Sequence, residues 1–410
     1  MHAPRHAARL WAFGVRARLV RQLPSCRGAR RRPFQDVLAR VAGYTGAAFA
    51  ASIPSDASSH RTAAFFPEFD DFSMTSSPEA IAGVALQTLR DALRGHTHCA
   101  LLDFPDHGNV GDSAIWAGEI VALQELGVAI DYVDNYHSLS PKVLRERMPK
   151  GIILIHGGGN FGTIWPECQA HREAVLAQFR DYPIVQLPQS IHFGDDASLE
   201  RTRGLIAAHP DFTMLVRDEP SRRISEERLG ARTVLCCDSA FFLHGKLRRD
   251  APAVDVLALA RTDKERVTEG LQALLEQTGR SFEIVDWLEE PMTASRRIAA
   301  RIWPRAFGRL TRVPGFFRVL RAAWDAAAWA RIERGCRLLS RGRVVLTDRL
   351  HAHILCTMLG IPHVVLDNHY GKVQNFIASW TSGSPLVRRA STPAQAVEIA
   401  LELLAANGRP

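Results

Sequence analysis

Four short segments of this chain carry residues able to do acid–base and anion-binding chemistry, and each follows an apolar run. The first is Asp106-His107-Gly108-Asn109-Val110-Gly111-Asp112. Its glycines permit a tight turn, Asp112 or Ser113 can cap a following helix, and free amides at that helix start can take an anion. The second is His156-Gly157-Gly158-Gly159-Asn160-Phe161-Gly162. Gly157, Gly158 and Gly159 allow very close approach of backbone to a ligand, but no Lys-Ser/Thr follows and the spacing is not GxGxxG, so neither nucleotide loop applies. The third, Leu187-Pro188-Gln189-Ser190-Ile191, offers two side chains that hydrogen-bond a sugar or a carboxylate. Gln189 and Ser190, with Asn109 and Asn160, are the expected acceptor-side contacts.

The fourth segment, Thr347-Asp348-Arg349-Leu350-His351-Ala352-His353, places an arginine two residues before a histidine. Arginine grips a carboxylate or phosphate with two parallel bonds, and histidine holds or delivers a proton near neutral pH. Arg217, beside Asp218, and Lys372, after Asp367-Asn368-His369-Tyr370-Gly371, add two more cations. Arg217, Arg349 and Lys372 are expected to converge on one cleft. His351 and His353 are two apart and point to different helix faces, which disfavours a zinc pair. The seven cysteines are scattered without CxxC or Cys/His zinc spacing, so no metal is expected and the thiols fit a reducing compartment.

The elements that must position these residues follow from hydrophobic periodicity. Strands are predicted at 100–104, 129–133, 152–156, 184–187, 212–216 and 232–235, with helices over 80–93, 113–126 and 172–180. After a charged linker, 243–252, a second block has strands at 254–260, 282–286, 344–347 and 363–367 and a helix over 264–278. Such alternation implies parallel sheets covered by helices. The expected fold is α/β, two Rossmann-like domains facing across a cleft with the site at the strand C-termini. The boundaries are 74–245 and 253–390, and a last helix over 393–406, within 391–410, is expected to pack back across the first domain.

Of the chain's 410 residues, 46% are hydrophobic and 23% charged, which excludes a disordered chain, a fibre or a disulfide scaffold. The net charge of +8 is concentrated at the N-terminus: residues 1–73 hold 11 Lys+Arg against 5 Asp+Glu, while the rest hold 40 against 38. A nucleic-acid reading from charge alone therefore fails. Residues 1–73 read as a basic, disordered extension without a role in the chemistry, with a targeting peptide or a true start at Met74 as alternatives. Residues 296–343 carry thirteen arginines and two acids, interleaved with Trp303, Phe307, Phe316, Phe317, Trp324 and Trp329. One reading is a helical hairpin whose aromatics pack into the second domain and whose arginines face solvent. The other is contact with an anionic membrane surface. No apolar run is long enough to span a bilayer, so the expected location is cytoplasmic, with a peripheral place at the inner membrane face if the second reading holds.

In order along the chain stand GNVGD (108–112), GGGNFG (157–162), LPQSI (187–191), RDE (217–219), CDSAF (237–241), RTD (261–263), DRLHAHI (348–354) and DNHYGK (367–372). Together they resemble the polysaccharide pyruvyl transferase family, particularly its exopolysaccharide-biosynthesis members, over roughly residues 98–380. The resemblance implies a glycosyltransferase-B-like arrangement, phosphoenolpyruvate as donor substrate with no cofactor, and a sugar of a lipid-linked repeat unit as acceptor. The family's donor-binding Arg-Leu-His falls on Arg349, Leu350 and His351, and its upstream arginine on Arg217. Thr163 departs from the pattern, standing where related sequences often carry an acid.

Ketal formation begins with protonation of the methylene carbon of phosphoenolpyruvate. A sugar hydroxyl attacks the resulting cationic centre, phosphate leaves and a second hydroxyl closes the ring. His351 is the expected general acid, Arg349 and Arg217 the anion holders, and Asp112 or Asp238 the acceptor of a hydroxyl proton. Two other readings share the two-domain shape: a sugar-nucleotide-dependent glycosyltransferase, and a non-catalytic scaffold of polysaccharide assembly.

Overall fold

The computed structural model describes residues 77–260, 270–288, 315–366 and 371–406. The N-terminal extension, Arg261-Thr262-Asp263, the first part of the helix expected over 264–278, residues 296–314 and Asp367–Tyr370 lie outside the described residues.

Helix α1 (Pro78–Leu93) begins where Ser77 Oγ accepts the Ala80 amide at 3.2 Å, and it buries Ile81, Ala85 and Leu89 along one stripe. The first sheet then builds through β1 (His98–Leu102), α2 (Val110–Glu125), β2 (Ala129–Val133), α3 (Pro141–Arg147), β3 (Ile152–Ile155), β4 (Gly158–Gly162), α4 (Pro166–Gln178), β5 (Ile184–His192), α5 (Asp196–Ala208), β6 (Phe212–Val216), α6 (Glu219–Arg223) and β7 (Arg232–Leu235). Its strand order is β2-β1-β3-β5-β6-β7, with β4 paired to β5, and every pair is parallel. Strands such as Ile152-Ile153-Leu154-Ile155 are apolar throughout because helices cover both faces.

The second sheet uses β8 (Val254–Leu259), α7 (Leu271–Glu276), β9 (Phe282–Val285), α8 (Phe316–Ser340), β10 (Gly342–Thr347), α9 (Leu350–Leu359), β11 (His363–Leu366), α10 (Lys372–Phe376), β12 (Val387–Ala390) and α11 (Pro393–Ala406). Its order is β12-β11-β10-β8-β9, again parallel. The protein is therefore α/β with two Rossmann-like sheets, and both belong to one compact unit.

Two expectations need correction, and one strand of the first sheet was not predicted. The glycine segment after β3 enters that strand. β5 continues past Leu187 to His192, and beyond the end of β3 its open edge takes Gly158–Gly162 as a partner. The C-terminal helix α11 does not cross to the first domain. Its Ala396, Val397, Ala400 and Leu404 pack with Val256, Val344 and Val364 of the second sheet, because the strand it follows, β12, is the edge of that sheet. Finally, α8 is a single 25-residue helix in the described part of the Arg-rich stretch, and it packs on α2 of the first half. Its Trp324 stacks on Phe104 at 4.5 Å and its Phe317 lies 5.0 Å from Tyr132, so these aromatics fill the first domain's core rather than the second's. Arg331 is buried with them, while Arg318 and Arg337 face outwards. Among the described residues, no helix is long and apolar enough to cross a membrane.

Candidate active site

The strand ends of the first sheet supply most of the polar groups. Helix α2 starts at Asn109, whose Oδ1 accepts from the Gly111 amide at 3.1 Å while its Nδ2 donates to Asp112 Oδ2 at 2.8 Å. Asn109 thus caps the helix and orients Asp112. Burial would raise the Asp112 pKa, but positive charge at His107, His351, His156 and Arg217 outweighs it and holds the carboxyl below its usual range. His107 Nε2 lies 3.6 Å from Asp112 Oδ2.

Three strands along the sheet from β1, β6 delivers Arg217, and the segment after β7 delivers Asp238. Arg217 Nη1 donates to Asp238 Oδ2 at 2.6 Å and its Nε to Ser190 Oγ at 2.9 Å, with all three side chains buried. Ser190 Oγ in turn donates to Asp218, which caps α6 by accepting the Ser221 amide at 2.9 Å. The second half reaches this cluster directly. His351 Nε2 stands 3.4 Å from Asp238 Oδ2, an ion-pair distance without hydrogen-bond geometry, and Trp380 Nε1 donates to the Arg217 carbonyl at 2.9 Å. Burial pushes the Asp238 pKa up, yet His351 and Arg217 overcome it and keep this carboxylate ionised far below its ordinary value.

The glycine triplet makes room for protein groups. A Cβ on Gly157 would lie 2.7 Å from the Pro188 carbonyl, and one on Gly159 would lie 2.9 Å from Arg217 Nη2. Gly158 has φ +125°, a backbone that glycine adopts most readily. Asn160 Oδ1 accepts from Arg172 Nη2 and from Gln189 Nε2, both at 2.9 Å, and Gln189 also binds the Asn160 amide and the His156 carbonyl. Gln189, Ser190, Asn109 and Asn160, singled out for an acceptor, are thus engaged within the protein, where they brace the strand ends. Thr163 Oγ1 accepts the Gly194 amide at 2.7 Å.

On the second sheet, Arg349 ends the turn after β10. Its Nη2 contacts both Asp286 oxygens, at 2.7 and 2.8 Å, and its guanidinium lies 5.9 Å from the Trp287 ring centroid. Arg349 Nε has no hydrogen-bond partner among the described residues. Leu350, the first residue of α9, is buried. Lys372 begins α10, and its charge, after burial, helps depress the pKa of His192 at the end of β5. The structure thus joins Arg217, Asp238 and His351 directly, keeps Asp112 within their field, and gives Arg349 its own carboxylate partner. His353 is not part of this cluster: it is buried, its Nδ1 2.7 Å from His363 Nε2 and its Nε2 2.9 Å from Thr381 Oγ1.

Several participants were missed in the sequence. Glu119, buried in the apolar α2, lies 2.8 Å from His156 Nδ1 and accepts the Gly157 amide at 2.9 Å. Burial opposes charge on His156, but Glu119 raises its pKa. A lone acid inside an apolar helix was the available signal. Asp286 and Trp287, after β9, carried none. Arg334 Nη2 bonds both the Gly108 carbonyl, at 2.7 Å, and the Trp287 carbonyl, at 2.8 Å, while Arg331 Nη1 holds the Pro105 carbonyl at 3.1 Å. Arginines read as a solvated face therefore fasten the first site loop to the second half. Among the described residues no His/Cys/Asp/Glu group is arranged to hold a metal ion. A separate cavity of about 440 Å³, lined by Lys246, Arg248, Trp329 and Glu333 among others, contains none of the site residues.

Comparison with known proteins gives this geometry a family. The family model for polysaccharide pyruvyl transferase matches residues 109–370, which span the loop at Asn109, the Arg217–Asp238 pair and the Arg349–His351 turn. The chain is 32% identical over 322 residues to pyruvyl transferase 1 of Schizosaccharomyces pombe, covering 74% of this chain and 75% of that one. It is 29% identical over 317 residues to the putative pyruvyl transferase EpsO of Bacillus subtilis, covering 77% and 94%. A solved structure of an uncharacterised protein from Klebsiella pneumoniae is similar at a TM-score of 0.49 and 17% identity, covering 78% of this chain and 100% of that one. The chain belongs to the polysaccharide pyruvyl transferase family and is an enzyme of polysaccharide pyruvylation.

Proposed function

We propose that this enzyme takes phosphoenolpyruvate as its donor and, without a further cofactor, forms a pyruvate ketal on a sugar of a lipid-linked exopolysaccharide repeat unit in the cytoplasm. The observation that carries the reading is the contact across the two halves: His351 3.4 Å from Asp238, whose other partner, Arg217, lies 2.6 Å away. A proton donor and an anion-binding cation there share one carboxylate.

In this reading the His351 imidazolium gives its proton to the methylene carbon of phosphoenolpyruvate, which becomes the methyl group. The adjacent carbon turns electrophilic and a sugar hydroxyl adds to it, releasing its proton to Asp112. Phosphate then leaves with the C–O electron pair, the second hydroxyl closes the ring, and its proton departs with the phosphate. The proton on Asp112 returns to His351. Asp238, whose carboxyl is held so far below its usual range, suits the orienting of His351 better than the acceptance of a proton. Arg217 and Arg349, with the spare Nε of Arg349, hold the phosphate and carboxylate. Gly157–Gly159 and Leu350 shape the donor side, and Lys372 adds long-range positive charge.

Thermal unfolding with phosphoenolpyruvate tests the donor. Ligand at about 100 times its dissociation constant stabilises by about 2.7 kcal/mol, and the shift is expected to vanish in Arg349→Ala. No shift for the wild type with phosphoenolpyruvate, but one with a sugar nucleotide, would replace this reading with glycosyl transfer.

A further inference from the structure

Helix α2 is apolar along most of its length, yet one carboxylate, Glu119, is buried within it at 1% exposure. It lies about two turns beyond Asp112, so the two acids share one face of the helix, with Ile115 between them. That face runs along the glycine segment that leaves β3 and enters β4. A Cβ on Gly157 would stand 3.2 Å from Glu119 Oε1, and one on Gly158 would stand 3.4 Å from Ile115 Cδ1 and 3.7 Å from Asp112 Oδ1. One on Gly159 would stand 2.9 Å from Arg217 Nη2. Each glycine thus passes a different charged group, and Gly157 is where the segment is fastened.

Glu119 Oε1 accepts the Gly157 amide at 2.9 Å, and Oε2 lies 2.8 Å from His156 Nδ1. From the side of β5, Gln186 and Gln189 donate through Nε2 to the His156 carbonyl at 2.9 and 3.1 Å. The Trp116 ring, 5.9 Å from the His156 ring, packs against the same point, and both His156 and Gly157 are buried. A carboxylate taken out of water costs stability unless its oxygens are bonded, and an apolar residue would fill this place in the helix at lower cost. Here both oxygens are committed to the two consecutive residues that lead into the glycines facing Asp112 and Arg217.

We propose that Glu119 is a positioning residue for the donor site: by holding His156 and the Gly157 amide, it sets where Gly158 and Gly159 run between Asp112 and Arg217. It acts through the backbone rather than on substrate, and the role rests on the reading that phosphoenolpyruvate binds beside Arg217 and the glycine segment. Without the carboxylate, two buried donors, Gly157 N–H and His156 Nδ1–H, are left unpaired, and the segment regains partners only by moving towards water. That movement carries Gly158 and Gly159 away from the two charged groups and loosens the donor's seat. Glutamine in this place keeps an oxygen for the Gly157 amide, and its NH₂ donates to Nδ1 of the other histidine tautomer.

The test is titration calorimetry with phosphoenolpyruvate on the full chain, which reports the dissociation constant separately from the fraction of competent protein. Glu119→Ala is expected to weaken phosphoenolpyruvate about tenfold, while Glu119→Gln stays within about threefold of the wild type. Glu119→Asp, which keeps the charge but shortens its reach, is expected to fall between them. Leu199→Ala, in the buried face of α5, is the control for lost stability alone: it should lower the unfolding midpoint and leave the dissociation constant unchanged. A dissociation constant unchanged in both Glu119→Ala and Glu119→Asp would overturn the positioning role, as would one as weak in Glu119→Gln as in Glu119→Ala. A wild type that binds no phosphoenolpyruvate would instead remove the donor reading, and the positioning role with it.

Discussion

On the first sheet, the ends of β1, β3, β5, β6 and β7 all contribute to the site, and their side chains are bonded mainly to one another. Arg217 is held by Asp238 and Ser190, and Asn160 by Arg172 and Gln189. On the second sheet, the contribution centres on one turn, Thr347–His351, whose histidine brings its Nε2 beside Asp238 with no hydrogen-bond partner for that nitrogen among the described residues. The first half is a braced platform and the second presents a reactive group to it. Between them runs α8, with Trp324 in the first half's core and Arg334 tied to both halves. The contrast teaches that bracing and availability are separated here: polar groups saturated by the protein hold shape, and those left unsatisfied are the ones free to bind a ligand.

The comparison breaks most severely at His351. His351→Ala is expected to lower turnover by about 10²–10⁴-fold with little change in the unfolding midpoint, since the side chain is partly exposed. Steady-state kinetics beside a thermal melt would show it, and near-wild-type turnover would remove His351 from the chemistry. Next is the bridge. Trp324→Ala removes a ring stacked on Phe104 and adjoining Trp116, and is expected to cost about 3–5 kcal/mol in urea unfolding. A cost below about 1 kcal/mol would mean that α8 does not couple the halves.

A sharper probe is Gly111→Ala. A Cβ there would overlap the His351 ring, yet Gly111 can keep its amide bond to Asn109. Turnover is expected to drop about 10²-fold through misplacement of the imidazole, and unchanged kinetics would show that His351 has another productive position. The smallest effect concerns His353 and His363, which belong to the second half but not to the site. Burial pushes the His353 pKa well below its ordinary value, and burial lowers that of His363 to about 4. The unfolded chain binds the extra proton, so this stability is present above the unfolded histidine pKa of about 6.5 and is lost as pH falls towards about 4. Between pH 7 and 5 the loss should be about 1–2 kcal/mol per group, and His363→Gln should flatten the pH dependence measured by chemical unfolding. An equal slope in the variant would place the acid sensitivity elsewhere.

Local pattern decided much of this protein. Parallel strands buried on both faces announce themselves as apolar runs, as Phe212–Val216 does, and the partly exposed edge strands Ala129–Val133 and Arg232–Leu235 also lie where periodicity places them. The chemistry-bearing residues were legible because a doubly wound fold puts its polar side chains just after such runs, as with Arg217, Asp238 and Arg349. What only the tertiary structure decided is which of them meet and which are spent on the protein. Gln189 and Asn160 are identical in type to ligand-binding residues, and only the opposing strand shows them bonded to each other. The amphipathic stripe of α8 fixes that it must be buried, but not against which half. That choice was made by the space beside Phe104 and Trp116, which Trp324 fills. Burial and pairing depend on contacts between residues far apart in the chain, whereas periodicity records only neighbours.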